Sequence, residues 1–374
     1  MDPRARRPGG LIPAPVVLPP NDRLENAGQA ILVRDGSVAE EWDELAGRVP
    51  WATPQHYFAW GASLSSSFGY LKIAHRLFCI RDEVVAGLPL IRLSTIAPFT
   101  GLYSQVFHSY GGPLIRPDYL GDENLLRRIS DEIDRLAVRH RAFEVRILIP
   151  PHAPKAVARC LLAGDRTQAF PRLCVVMALD RPLDRIVHGY RSSVRRAVMR
   201  SLRRGVVVET ADAHLARRAF PIYQATMERV GGTAKPWRFI ESLVRQGIAV
   251  PFVARHGSRL IGVVILLVSP RTAIYWISAA VPEASECRPT NALVDHAIRW
   301  CHDRGIPRFD FTTTIRQERP GLTRFKSQWG GTSLESPLVV RTYRPRIQRV
   351  WSSIEPAARR TYAAWDRWRA SLSR

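Results

Sequence analysis

Between residues 305 and 331 the chain sets one lysine among aromatic and small residues. The stretch reads Gly305-Ile306-Pro307-Arg308-Phe309-Asp310-Phe311-Thr312 and, further on, Gly321-Leu322-Thr323-Arg324-Phe325-Lys326-Ser327-Gln328-Trp329-Gly330-Gly331. Bulky and polar side chains alternate from Arg308 to Thr312, which predicts a strand with one buried face. Phe325, Lys326 and Trp329 follow at helical spacing, and the two glycines stop the segment. The pattern holds an ammonium between aromatic rings near the C-terminal end of a strand, the edge where open α/β sheets bind ligands. A cation fixed there is placed to meet negative charge on a bound molecule. Asp310 points to the side opposite the two Phe rings. It either orients or deprotonates a bound group, or it caps or pairs with a neighbouring arginine.

A basic run, Tyr190 to Gly205, is the second concentration of functional side chains. On a helix, Arg196, Arg200, Arg203 and Arg204 share one face and Val194, Val198 and Leu202 lie roughly opposite. Gly205 suits the C-terminal cap, and the cations beside it complement the helix dipole. The run is either a solvated face or an anion-binding one. The chain as a whole carries 55 Lys plus Arg against 33 Asp plus Glu, a formal charge of +22. That excess points to nucleic acid, phosphorylated cofactors or an anionic membrane face, or else to free use of arginine on solvated surfaces.

Other chemistries find no support. The five cysteines (Cys79, Cys160, Cys174, Cys287, Cys301) form no C-x-x-C pair, so neither a zinc ribbon nor a disulfide frame is expected, and a reducing, cytoplasmic compartment is. No metal is expected, because nothing has ligand spacing. The ten histidines are dispersed, and no Ser-His-Asp or Cys-His pairing stands out. The longest apolar run, 260–268, is far below the ~20 residues a membrane helix needs.

Residues 1–25, rich in Pro, Arg and Gly, predict a disordered tail. Strand and helix signals follow at 30–34 and 37–46 (capped by Ser37), then a helix over 53–69 with Thr53 as cap and Pro54 in its first turn. Strands are expected at 77–80 and 84–93, a loop at 110–113, an amphipathic helix over 123–139, and a strand at 143–149. The order recurs in the second half: a helix at 213–230, a hairpin from 252–255 and 260–268, a strand at 273–278, a helix at 290–303 and a strand at 309–312. Each half then adds a short helix (153–162; 322–329) and one more strand (173–179; 337–343). A long unit occurring twice indicates a duplicated domain and not a solenoid.

The recurring order resembles the GNAT acyltransferase fold, and two copies in one chain resemble its FemAB-like branch. Arg324-Phe325-Lys326 with Trp329-Gly330-Gly331 is similar to that branch's closing R-F-K-x-x-[FW]-G signature. Arg288-Pro289-Thr290-Asn291, Gly87-Leu88-Pro89-Leu90 and Gly111-Gly112-Pro113 support the likeness, which covers residues 30–345. It implies an α/β (α+β) chain of two tandem GNAT-like domains, each a mixed twisted sheet flanked by helices. The expected division is 26–180 for the first domain, 181–205 for a basic connecting helix and 206–345 for the second, catalytic domain. A C-terminal amphipathic helix at 346–374 follows, with a stripe including Trp351, Tyr362, Trp365 and Trp368. It either docks on the protein body or lies on a membrane.

Members of this superfamily move an acyl group from a thioester or ester onto an amine, which needs a neutral amine, an aimed carbonyl and a donor for the oxyanion. The resemblance gives that last role to Lys326 with Phe325, and Asp310 completes the expected catalytic set. Arg191 and Arg195 on the connecting helix, with Arg288, Asn291, Arg324, Trp329 and Tyr275, are the expected substrate- and donor-binding residues. Acetyl-CoA-using relatives cradle a pyrophosphate in a glycine-rich loop. The equivalent place, residues 283–291, has no glycine and two acids, although Arg288 and the helix amides after Thr290 remain available to a phosphate. No covalently bound cofactor is expected. The donor is acyl-CoA, an acyl-carrier protein or an aminoacyl-tRNA. The acceptor is an amine-bearing small molecule, peptide or glycan precursor, with tRNA and the anionic inner membrane face as further partners. The alternatives are an aminoacyl-tRNA-dependent transferase acting on a cell-wall or peptide precursor, and a non-catalytic RNA- or membrane-surface-binding protein.

Overall fold

A computed structural model describes residues 30–96, 103–162, 166–314, 320–351 and 353 of the chain. The expected tail at 1–25 and the C-terminal helix beyond residue 353 lie outside the described residues. The first half runs β1 (Leu32–Asp35), α1 (Ala39–Arg48), α2 (Phe58–Ser67), β2 (Leu71–Ile73), β3 (Arg76–Ile80), β4 (Glu83–Leu88), β5 (Ile91–Ile96), β6 (Tyr103–Ser109), β7 (Leu114–Ile115), α3 (Glu123–Arg139), β8 (Glu144–Leu148), α4 (Lys155–Leu162), β9 (Thr167–Phe170) and β10 (Leu173–Ala178). The second runs α5 (Leu183–His188), α6 (Ser192–Arg203), β11 (Val206–Thr210), α7 (Ala213–Arg229), α8 (Trp237–Arg245), β12 (Ala249–His256), β13 (Arg259–Val268), β14 (Ala273–Ala280), α9 (Pro289–Asp303), β15 (Arg308–Thr314), α10 (Pro320–Ser327), β16 (Thr332–Glu335) and β17 (Leu338–Thr342).

Local rules account for the strongest elements. In α3, Leu125, Ile129, Ile133 and Leu136 are buried at helical spacing, and the Asp122 carboxylate caps the helix by accepting the amides of Asn124 and Leu125, each at 3.0 Å. In α6 the buried stripe is Val194, Val198 and Ser201, whereas Leu202, expected inside, is 57% exposed. No side chain caps α1, whose N-cap is Val38 and not Ser37. The helix expected at 53–69 is broken: a 3-10 turn at Pro54–His56 ends in extended Tyr57 before α2 begins. Tertiary bonds hold the break. The indole N–H of Trp42 donates to the His56 carbonyl at 2.5 Å, and the Phe58 amide donates to Asp43 Oδ1 at 2.7 Å.

Three sheets result: the antiparallel β1-β3-β4-β7 and the mixed β2-β5-β6-β8-β17-β9 and β11-β12-β13-β14-β15-β10-β16. The last strands of the two halves are exchanged. β10 lies between β15 and β16 in the second-half sheet, and β17 lies between β8 and β9 in the first-half sheet. Each strand is apolar and antiparallel to both neighbours, so its own pattern fits either sheet. Arg341 of β17 fastens the exchange. Its buried guanidinium donates to the carbonyls of Ser130, Cys160 and Leu161, to Ser130 Oγ and to Asp134. The halves also share a core. Trp60 and Leu64 of α2 and Phe68 just after it pack against Phe239, Ile240 and Leu243 of α8, and Ser63 and Ser242 meet hydroxyl to hydroxyl at 2.9 Å. Residues 345–351 are helical, with Trp351 buried against Phe143.

Candidate active site

The parallel strands β14 and β15 pair only at Ala273–Phe309 and Ile274–Asp310, although both continue well beyond those residues. Past Asp310, β15 also breaks step with β10. Asp310 faces Val176 and Thr313 faces Cys174, so Phe311 and Thr312 together oppose one residue, Val175. This is a β-bulge, and Thr312 in it has φ +61°. A β-branched residue rarely adopts that left-handed conformation, so the surroundings must hold it there.

Four groups do so. Asp310 Oδ1 accepts the Thr312 amide at 2.6 Å and the Cys174 thiol at 2.7 Å. Lys326 Nζ donates to the Thr312 carbonyl at 3.0 Å and to its hydroxyl at 3.1 Å. All this is interior: Asp310 is 6% exposed and Lys326 3%. Burial pushes the Asp310 carboxyl above the ordinary range, opposed by its two hydrogen bonds and by Lys326. Burial lowers the Lys326 ammonium to about 8, with Cys174 and Asp310 pulling it back up. Burial and the Asp310 charge push the Cys174 thiol far up, so it stays a neutral donor. Only four residues in the chain are lysines (Lys72, Lys155, Lys235, Lys326), and this one is buried at a strained turn.

The sequence points to aromatic rings as what holds Lys326; the structure adds a strand carbonyl and a hydroxyl. Trp329 is fully buried, with ring centroids 5.0 Å from Tyr190, 5.9 Å from Phe325 and 6.3 Å from Phe311. Tyr275 is likewise core, packed on Phe311 at 5.6 Å. The turn after α10 is fixed by close backbone approach. Gly330 has φ +82°, and a Cβ there would lie 2.4 Å from the Gly189 carbonyl oxygen. The Arg191 amide donates to the Gln328 carbonyl at 2.9 Å, so α6 starts against the end of α10.

Beside this cluster is a cavity of about 330 Å³, lined by Arg196 and Arg200 of α6, Arg288 and Asn291 at the start of α9, Phe325 of α10 and Gln328 just after it. Arg288, Asn291 and Phe325 are thus brought together as expected. Arg191, Arg195 and Arg324 do not line the cavity. The Arg195 guanidinium instead folds back onto the carbonyls of Tyr190 and, at 2.9 Å, His188. Arg196 and Arg200 take the place expected of Arg191 and Arg195. The clue available in the sequence was the pair of small residues, Ser193 and Ala197, which share their flank and leave room beside them.

The start of α9 also differs from expectation. Pro289 has no N–H, and the amides of Asn291 and Ala292 turn to the Arg288 carbonyl at 3.0 and 3.3 Å. Arg288 is in left-handed conformation, φ +51°. The helix start therefore lacks the fan of amides that grips a pyrophosphate, and an anion here must be met by arginine side chains.

Residues 188–327, which contain the bulged strand β15, Lys326 and all of the cavity lining except Gln328, match the acetyltransferase (GNAT) domain family. The fold is that of the GNAT superfamily in a FemAB-like arrangement. The chain is similar to FemX over 85% of its length and 98% of FemX, with a TM-score of 0.68 at 15% identity. It is similar to L-PGS from Bacillus licheniformis over 87% of its length and 97% of that chain (TM-score 0.52, 10% identity). A conserved protein of unknown function from Bacteroides thetaiotaomicron matches over 84% and 100% (TM-score 0.54, 8% identity). No curated protein matches the sequence.

Proposed function

We propose that this chain is an N-acyltransferase that moves an acyl group from a phosphate-bearing thioester or ester donor to the amine of a small-molecule, peptide or glycan-precursor acceptor. The observation that carries the reading is the buried Lys326 ammonium, fixed by the bulge of β15 within the segment that matches the acetyltransferase family. In the reaction a neutral amine attacks the acyl carbonyl and a C–N bond forms. The tetrahedral oxyanion collapses, the C–S or C–O bond to the donor breaks, and the proton lost by the amine goes to the leaving group. A cation in a dry site stabilises the oxyanion far more than water does. With its ammonium lowered to about 8, Lys326 can also pass a proton to a departing thiolate or alkoxide.

Asp310 is a positioning residue in this reading. Its Oδ1 is occupied by the Thr312 amide and the Cys174 thiol, which suits it to fix the bulge and not to receive the substrate proton. Arg196, Arg200 and Arg288 take the donor's phosphates. Because side chains and not an amide fan line that place, the donor need not be acyl-CoA, and an acyl-carrier protein or an aminoacyl-tRNA meets the same requirement.

The test is turnover by a Lys326→Met variant, whose side chain fills the same volume without charge. Purified protein would be given acyl-CoA and aminoacyl-tRNA donors with a panel of amines. Loss of turnover with the fold retained in far-ultraviolet circular dichroism supports the assignment, and wild-type turnover in Lys326→Met ends it.

A further inference from the structure

The outer face of α6 shares Arg196 with the cavity but has a second, apolar character that acyl transfer does not use. Three large apolar side chains stand in solvent there: Met199 (49% exposed) and Leu202 (57%) on the helix, and Val207 (56%) on β11, just past the turn at Gly205. They rim an open, largely apolar groove of about 650 Å³ lined by residues such as Val187, Val198 and Ala292, with Arg195, Asp295, His296 and Arg299 also on its wall. β11 is an edge strand of the seven-stranded sheet. Exposed Arg196 and Arg203 rise from the same turns of α6, and neither has a carboxylate partner among the described residues. The nearby acids are already neutralised: Asp295 pairs with Arg299 at 2.8 Å, Glu286 with Arg204 at 2.9 Å and Glu209 with Arg255 at 2.7 Å.

We infer that this face docks on an anionic bilayer, with Met199, Leu202 and Val207 entering the headgroup boundary and the α6 arginines meeting lipid phosphates. Charge complementarity selects this occupant. A second copy of the chain would bring the same basic face and a net +22 against it. The chain's own C-terminal residues carry Arg359, Arg360, Arg367 and Arg369 and are repelled in the same way. RNA would satisfy the arginines and leave three apolar side chains and an apolar groove in water. A bilayer with anionic headgroups offers both hydrocarbon and phosphate, as an interfacial amphipathic helix requires. Contact would be peripheral, because no helix among the described residues is long and apolar enough to cross a membrane. The cavity of Arg196, Arg200 and Arg288 lies on the other flank of α6.

The full chain is to be sedimented with phosphatidylcholine vesicles, with and without about a third phosphatidylglycerol, and titrated in parallel with poly(U). The inference expects binding only to the anionic vesicles, weakened by salt. It expects at least a fivefold loss in Met199→Ser/Leu202→Ser, with poly(U) binding unchanged. Arg203→Ala should cost about fivefold, since one cation near an anionic surface contributes roughly 1 kcal/mol. These residues are exposed, so the fold is retained, and far-ultraviolet circular dichroism checks it. Unchanged vesicle binding in the Met199/Leu202 variant overturns the inference. So does a self-association in sedimentation velocity that this variant abolishes, which would make the face an interface between copies. A loss of poly(U) binding in Arg203→Ala with no preference for anionic vesicles would make it an RNA surface. None of these outcomes depends on acyl transfer.

Discussion

Thr312 sits in a left-handed conformation at φ +61° because the carboxylate of Asp310, two residues earlier, accepts its amide at 2.6 Å. The turn this creates points the Thr312 carbonyl and hydroxyl at Lys326. Strained residues persist only where their surroundings over-determine them, and such places cluster at functional sites. Cys174, which completes the hold on Asp310, comes from the exchanged strand β10.

The coupling between Asp310 and Thr312 is measurable. Asp310→Asn should destabilise the protein by about 1–3 kcal/mol, as expected for disrupting a buried hydrogen-bonded group. Glycine adopts φ near +60° without a carboxylate to hold it, so Asp310→Asn should cost less in a Thr312→Gly background. A double-mutant cycle in urea should give a coupling above about 0.5 kcal/mol. Additive effects would mean that Asp310 does not hold the bulge.

The charge on Lys326 can be followed directly. With four lysines in the chain, selective isotopic labelling gives four side-chain signals, and Lys326→Met assigns one by its disappearance. That signal should titrate with a midpoint near pH 8, the value to which burial lowers it. The Asp310→Asn variant should titrate lower still, because removing a carboxylate withdraws support from the ammonium. If the ammonium form is needed, turnover should decline as pH rises through about 8. A Lys326 signal still fully protonated at pH 10 would contradict its burial.

Arginine variants distinguish the two sets of cations on α6. Arg196→Glu with Arg288→Glu places two negative charges at the cavity and should raise the KM for a phosphate-bearing donor by tenfold or more, given the strength of charge-assisted hydrogen bonds to phosphate. Arg191→Glu should leave that KM within about twofold, because Arg191 does not line the cavity. The reverse ranking would move the donor site to the start of α6.

Two buried histidines set an acid limit on stability. His56 accepts the Thr53 amide on Nδ1 at 2.9 Å, and His75 stacks on Trp42 with ring centroids 4.4 Å apart. Burial lowers both to about 4, against an unfolded value near 6.5. The unfolded chain therefore binds protons more readily below 6.5. The contribution is whole above that pH and is lost as pH falls toward 4, on the order of 3 kcal/mol per histidine. Urea midpoints should drop between pH 6.5 and 4, and His75→Phe should flatten part of that drop.

The sequence by itself determined the element order, the repeat of that order and the segment that carries the lysine. These are local matters: α3 occupies 123–139 as its apolar spacing and capping aspartate require, and β12 with β13 forms the expected hairpin. Only the tertiary structure decided where the last strand of each half goes, since an apolar strand fits either sheet. Long-range bonds likewise overrode local preference at Tyr57, where Trp42 and Asp43 hold open a break in what reads as one helix. The same holds for the site. Spacing marked Lys326, and of the two rings beside it Trp329 proved to be core while Phe325 lines the cavity. The groups that hold its ammonium arise from a bulge, and a bulge is set by registry against Cys174, 136 residues away. Which arginines face the cavity depended in the same way on how α6 rotates against α9 and α10, and helical periodicity leaves that angle free.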